Sequence, residues 1–304
     1  MAESRIPVDL FNPGQVFACM GFLEAAEVLL GEAEGGFDWS EPANVRFVLR
    51  AADEADPVAE VLGFLASATA KRFAPNSYRD PPPKKKEEKD KRVQGARDVE
   101  EELDDKASNK EPPEISETFP SGKPDRMTLP IRLDGGSQSM IELTHWADGS
   151  GLDPFKLYAG NRSAFGIAGA MLTLLRHLHA AKREQLVVSP FDVLMPMGGS
   201  FNFDPRGAWT ALDAGYSLND QKHQVDASPV VELLAPWGLS HARPKEIGLR
   251  FYAYAAWSKM LTPTLARPAL ADELGIIEQR RFRVKLGLSG KNKVMAFATE
   301  DDPT

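Results

Sequence analysis

A single cysteine, Cys19, stands in a chain of 304 residues, so neither an intramolecular disulfide nor a cysteine-built zinc site is available. That usage suits a reducing compartment, and a cytoplasmic protein is the expectation. Apolar runs are short. None reaches the roughly 18 residues that a bilayer-spanning helix needs, so no membrane partner is expected. The stretch from Met1 to Phe11 lacks a basic segment followed by an apolar one, which argues against a secretory signal. Histidine is also sparse, at His145, His177, His179, His223 and His241. His177 and His179 are two apart on a predicted helix and point to different faces, so they make no i, i+4 metal pair.

Catalytic signatures are missing too. The Ser-Gly-Lys triplets at 121–123 and 289–291 lack the spacing of a phosphate loop, and no Gly-x-Ser-x-Gly supplies a hydrolase nucleophile. Glu142, Asp204 and Asp213 are the carboxylates from which a metal-dependent nuclease would be built, yet they are scattered without a tight pattern. The expectation is therefore no catalytic residue, no metal and no cofactor.

What is present is an ordinary globular composition. Hydrophobic residues make up 42% and charged residues 26%, enough apolar matter for a real core in one large or two modest domains. The net charge is −8 and the pI about 5.3, which argues against a chain coated in nucleic acid by bulk charge. Local basic surfaces remain open, because screening makes electrostatic footprints local.

The spacing predicts an α+β fold with mixed, largely antiparallel sheets. Ile6 to Leu10 reads as a strand. Asn12-Pro13-Gly14-Gln15 reads as a helix start, with Asn12 the cap and Gln15 closing a capping box, and the helix runs to a stop at Gly31. GEAEGG reads as a turn. Strands are expected at 37–39 and 45–50, then a second helix from Asp56-Pro57 to about Arg72. That order, β-α-β-β-α, is part of a ferredoxin-like unit. Residues 1–73 form this first part, 74–124 are a charged insertion expected to be disordered, and 125–304 continue the core. The later part holds a hairpin over 128–145 and a helix over 164–182 capped by Ser163, in which Gly166 and Gly169 suggest close packing. It continues with a strand at 186–188, a helix over 229–237, a strand over 250–258 and a closing pair over 281–288 and 294–299.

Three cationic groupings are the candidate contacts. In the stretch from Gly198 to Ser217, an aromatic strand (Phe201, Phe203) is broken at Asp204-Pro205, with Asn202 and Arg206 as its polar tip. Taken alone, a structural corner with an Asp204–Arg206 pair is the simpler reading. Lys156, Asn161 and Arg162 precede a helix N-terminus, where backbone N–H groups favour anions. Gln279 to Lys293 carries Arg280, Arg281, Arg283, Lys285, Lys291 and Lys293 with no acid among them. On a strand, Arg281, Arg283 and Lys285 share one face and Phe282, Val284 and Leu286 the other. One side can then pack while the other offers a phosphate stripe.

Three stretches together resemble a known family. VDLFNPGQVFACMGFLEAAEVL, FKLYAGNRSAFGIAGAML and FNFDPRGAWTALDAGYSLNDQ, the last followed by VVELLAPWGL, are similar to the small form of the large subunit in type I CRISPR Cascade complexes, of the I-U (later I-G) subtype. The resemblance covers most of 6–299 apart from the insertion, which departs from the compact pattern. It implies a non-enzymatic part of an RNA-guided DNA surveillance complex. Such a subunit binds crRNA and target double-stranded DNA and recognises the protospacer-adjacent motif. Its other partners are the remaining Cascade subunits and a recruited helicase-nuclease. A crRNA-processing or RNA-binding backbone subunit, or a nuclease, are the alternatives.

Overall fold

The computed structural model describes residues 1–79, 112–119, 125–136, 140–146, 153–158, 162–197, 199–207, 226–275, 277–289 and 292–301. Strand β1 (Ala2–Pro7), placed a little earlier than predicted, leads into helix α1 (Pro13–Leu30). Asn12 Oδ1 accepts from the Gln15 N–H at 3.2 Å, and Pro13 sits where a helix has no N–H bond to lose. Gln15 does not return the bond to Asn12 as a capping box would. Its Oε1 accepts from the Asp9 N–H at 2.8 Å and so pins the incoming chain to the helix. Every residue from Pro13 to Ala26 is buried, and the helix stops at Gly31, φ 70°. A helix apolar on all sides is a core helix. Contrary to the expectation of no such run, α1 is long and apolar enough to cross a membrane, but 78% of it is buried inside the fold.

After α1 come β2 (Ala33–Asp38) and β3 (Arg46–Ala51), in an antiparallel sheet of order β1-β3-β2. The predicted turn GEAEGG is partly strand. Gly35 and Gly36 lie against the segment from Lys259 to Leu261, where a Cβ on Gly36 would collide with the Lys259 carbonyl. Helix α2 (Pro57–Ser67) is capped by Asp56 and ends before its predicted limit, because Ala68 is extended and β4 (Thr69–Ala74) begins at once. Arg176 caps that end by donating to the Ala66 and Ala68 carbonyls at 2.9 Å each. A ferredoxin-like unit would return β4 to the first sheet. Instead β4 joins β5 (Glu114–Ile115), β6 (Ile131–Asp134) and β7 (Met140–Leu143) in the order β5-β4-β6-β7.

The insertion expected to be disordered is ordered at its edges. Ala74, Tyr78, Phe119 and Leu129 pack together, and β5 pairs with β4, while 80–111 and 120–124 lie outside the described residues. Helix α3 (Ala164–Val188) is capped by Ser163 Oγ. It bends at Lys182 but continues, so the predicted strand at 186–188 is its last turn. Gly169 faces open space rather than a neighbour.

Short β8 (Met195–Pro196) and β9 (Asp226–Ala227) pair, and helix α4 (Pro229–His241) follows, capped by Ser228. It is buried along most of its length and crosses α1 closely. A Cβ on Gly21 would meet the Leu234 carbonyl, and one on Gly238 would meet the Phe17 carbonyl. The last part comprises β10 (Lys245–Gly248), β11 (Phe251–Trp257), α5 (Pro263–Leu270), β12 (Gln279–Lys285), β13 (Gly287–Ser289), β14 (Asn292–Val294) and β15 (Thr299–Glu300). The expected closing pair is divided. β12 lies between β11 and β15 in a sheet β10-β11-β12-β15, and β13 and β14 make a hairpin of their own.

This sheet is tied to the first half of the chain. Tyr254 Oη donates to the Leu10 carbonyl at 2.7 Å, and Trp257 Nε1 to the Gly35 carbonyl at 2.8 Å. One apolar core therefore runs from Ile6 to Ala298, through both of the parts that the sequence divided. The fold is α+β with mostly antiparallel sheets.

Candidate nucleic-acid interface

The corner at 201–206 is buried and is not a strand. The Phe203 and Asp204 N–H groups, which a ladder would have used, donate to Glu232 Oε1 at 3.0 and 2.8 Å. Asp204, 1% exposed, accepts from Asn12 Nδ2 at 3.2 Å, the Ser228 N–H at 3.0 Å and Arg206 Nη2 at 2.7 Å. Arg206 Nη2 also donates to the Phe191 carbonyl at 2.8 Å. Arg206 is thus the counterion of a buried carboxylate, the Asp204–Arg206 pair of the simpler reading, with part of its side chain still at the surface. Asn202, at φ 66°, donates from Nδ2 to the Leu157 carbonyl at 3.2 Å, so its amide serves the same corner. Burial pushes the Glu232 carboxyl up to about 8, and the neighbouring Asp204 charge adds to that rise, while the backbone donors oppose it. Trp209 and its neighbours to 225 lie outside the described residues.

The described members of the second grouping, Lys156 and Arg162, are half-buried. Lys156 Nζ donates to the Tyr158 carbonyl at 3.2 Å and lies 4.2 Å from that ring's centre, and burial lowers its pKa. The Arg162 guanidinium lies against Gly199, filling the space a side chain there would need. Asn161 falls outside the described residues. Lys293, from the third grouping, reaches across to the Asp153 and Pro154 carbonyls at 2.8 and 2.7 Å. Lys156 and Lys293 thus hold the 153–158 loop together.

Two carboxylates of the nuclease alternative are engaged as well. Glu142 pairs with Arg132 at 2.7 Å and Asp204 with Arg206, while Asp213 lies outside the described residues. Among the described residues, no three of His, Cys, Asp or Glu gather where a metal ion would bind. His145 is buried, its pKa pushed down to about 3 by desolvation and then by Arg243.

The β12 stripe has the predicted alternation. Phe282 and Val284 are buried, and Arg283 and Lys285 are exposed. In register, Arg281, Arg283 and Lys285 stand opposite Ala255, Ala253 and Phe251. The stripe is free of acid in sequence but not in space. Asp272 takes Arg281 at 2.8 Å, Glu300 takes Arg280 through both donors at 2.6 and 2.7 Å, and Asp301 takes Arg283 at 2.8 Å. Arg280 and Arg281 are thus paired with acids, as Arg283 is. Arg283 keeps a side chain 59% exposed, and no carboxylate among the described residues pairs with Lys285. Lys291 is outside the described residues.

Around these two cations the sheet has a feature that the sequence reading missed. An open cleft of about 430 Å³ is lined by Ile247, Phe251, Val284 and Phe297 together with Arg283 and Lys285. Phe251 is 41% exposed and Phe297 52%. The Lys285 ammonium lies 5.2 Å from the centre of the Phe251 ring, and exposed Lys245 stands opposite Ala253 on the same face. Alternation held the clue to Phe251. With Tyr252 and Tyr254 turned into the core, Phe251 must face the other way. Phe297 gave no comparable signal, because its position depends on how the chain returns after β14. Compared with protein families, curated proteins and solved structures, the chain has no match.

Proposed function

We propose that this chain is a non-catalytic, nucleic-acid-binding protein, the large subunit of a type I-U/I-G Cascade complex working in the cytoplasm. In that role it contacts crRNA and target double-stranded DNA and recognises the protospacer-adjacent motif. Its protein partners are the other Cascade subunits and the helicase-nuclease that it helps recruit. Guide pairing supplies sequence specificity, and protein contacts serve the adjacent motif and the backbones. The reading rests on the resemblance carried by the three stretches and on one observation. The outer face of the β10-β11-β12-β15 sheet sets Lys245, Arg283 and Lys285 beside exposed Phe251 and Phe297. Elsewhere the chain is acidic, so neutralisation of the remaining phosphates falls to partner subunits.

The test is target-duplex binding by the assembled complex, with and without this chain, on DNA whose adjacent motif is intact or scrambled. Omission should abolish motif-dependent binding. Unchanged binding and unchanged motif preference would overturn the reading.

A further inference from the structure

We propose that the outer face of the β10-β11-β12-β15 sheet is a platform for a single-stranded polynucleotide. Unpaired bases stack on Phe251 and Phe297, and Lys245, Arg283 and Lys285 hold the phosphates. This inference rests on the nucleic-acid reading above and narrows it to strand state, place and mode of contact.

The chemistry of the face carries the choice. Exposed aromatic rings offer stacking surface, and only bases outside a duplex can present their own faces to it. A duplex buries those faces in its stack and would use the cations alone. Phe251 lies on β11 and Arg283 and Lys285 on adjacent β12, with Phe251 directly opposite Lys285, so an aromatic surface and a phosphate partner are neighbours in the register. Phe297 and Thr299 close the cleft on the β15 side. Inside the cleft, Lys285 rests over the Phe251 ring. A base arriving there displaces the ammonium, and the nucleotide's own phosphate then gives that ammonium a stronger partner than the ring. Arg283 is held by Asp301 through a solvent-exposed pair, which screening weakens and which a phosphate can replace. Single-stranded DNA and RNA share this chemistry and differ at the 2′-hydroxyl.

The purified full chain should be titrated, by fluorescence anisotropy, into a short labelled single-stranded DNA, the RNA of the same sequence and the blunt duplex. The single strands should bind more tightly than the duplex. The variant carrying Phe251→Ala and Phe297→Ala should lose about tenfold or more of that affinity. Both alanines replace exposed rings, so the thermal melt should be unchanged, and Phe251→Trp with Phe297→Trp should keep the binding. The tighter arm, DNA or RNA, then identifies which strand lies on the face. Equal binding of duplex and single strand overturns the platform. So does a double-alanine variant that binds like the parent while Arg283→Glu with Lys285→Glu abolishes binding, although that result leaves the nucleic-acid reading standing. Failure to bind any of the three polynucleotides removes the platform, whereas the reading above falls only if omission from the complex also changes nothing.

Discussion

Asp204 is a carboxylate with almost no exposure to water, and Arg206 is its charged partner. Removing one member of such a pair leaves the other buried and uncompensated. Arg206→Ala should therefore destabilise the chain by about 3 kcal/mol, read as a lower denaturation midpoint. Glu232 behaves differently because its second oxygen, Oε2, has no partner and burial favours the protonated form. The folded carboxyl keeps its proton up to about pH 8, whereas an unperturbed one loses it near 4.5. The stability it contributes is fully present below the unfolded pKa and is lost as pH rises through the folded one. The melting temperature should fall between about pH 5 and pH 8.5, and Glu232→Gln should flatten that fall while keeping an acceptor for the Phe203 and Asp204 N–H groups. A Glu232→Gln variant with the same slope as the parent would contradict this account. At the outer face, stacking of a base on an exposed ring is worth about 1–3 kcal/mol, against roughly 0.5–1 for an exposed cation–π contact. The Lys285–Phe251 contact is thus no barrier to a base.

Among the elements, the crossing of α1 and α4 constrains the fold most tightly. Gly21 and Gly238 admit the partner helix's backbone carbonyls, which cannot move aside as a flexible side chain could. Gly238→Ala should destabilise by about 3 kcal/mol or prevent folding, whereas Gly169→Ala on α3, facing open space, should be neutral or stabilising by up to about 1 kcal/mol. Chemical denaturation of both variants checks the contrast. These glycines also show what the sequence could reveal. Helix starts were legible because their chemistry is local: Asn12, Asp56 and Ser163 each accept a bond from an N–H three residues on. The alternation of β12 was legible for the same reason. Helix α5 was not, since TPTLARPAL holds two prolines and few large apolar residues and is fixed by packing on β11. Nor was the neutralisation of Arg280, Arg281 and Arg283. Their acids are Glu300, Asp272 and Asp301, and only strand pairing and the turn after α5 bring them near.

For the whole molecule, a net charge of −8 means that any binding to polyanions is confined to a patch and opposed elsewhere. Three cations on the outer face set the expected salt dependence. The slope of log K against log salt for a single strand should be about −2, and a slope several times steeper would place the contact elsewhere. The proposed function divides the labour: the 201–206 corner builds the fold, and the outer sheet face is the proposed contact for nucleic acid. The most direct measurement compares Arg206→Ala with Arg283→Glu plus Lys285→Glu, scoring each for thermal melting and for single-strand affinity. Arg206→Ala should lower the melt and leave the affinity of the folded protein unchanged, whereas the charge reversals should leave the melt unchanged and reduce affinity about tenfold or more. The reverse pattern, binding lost at Arg206 in a fully stable protein and kept after charge reversal on the sheet, would contradict this division.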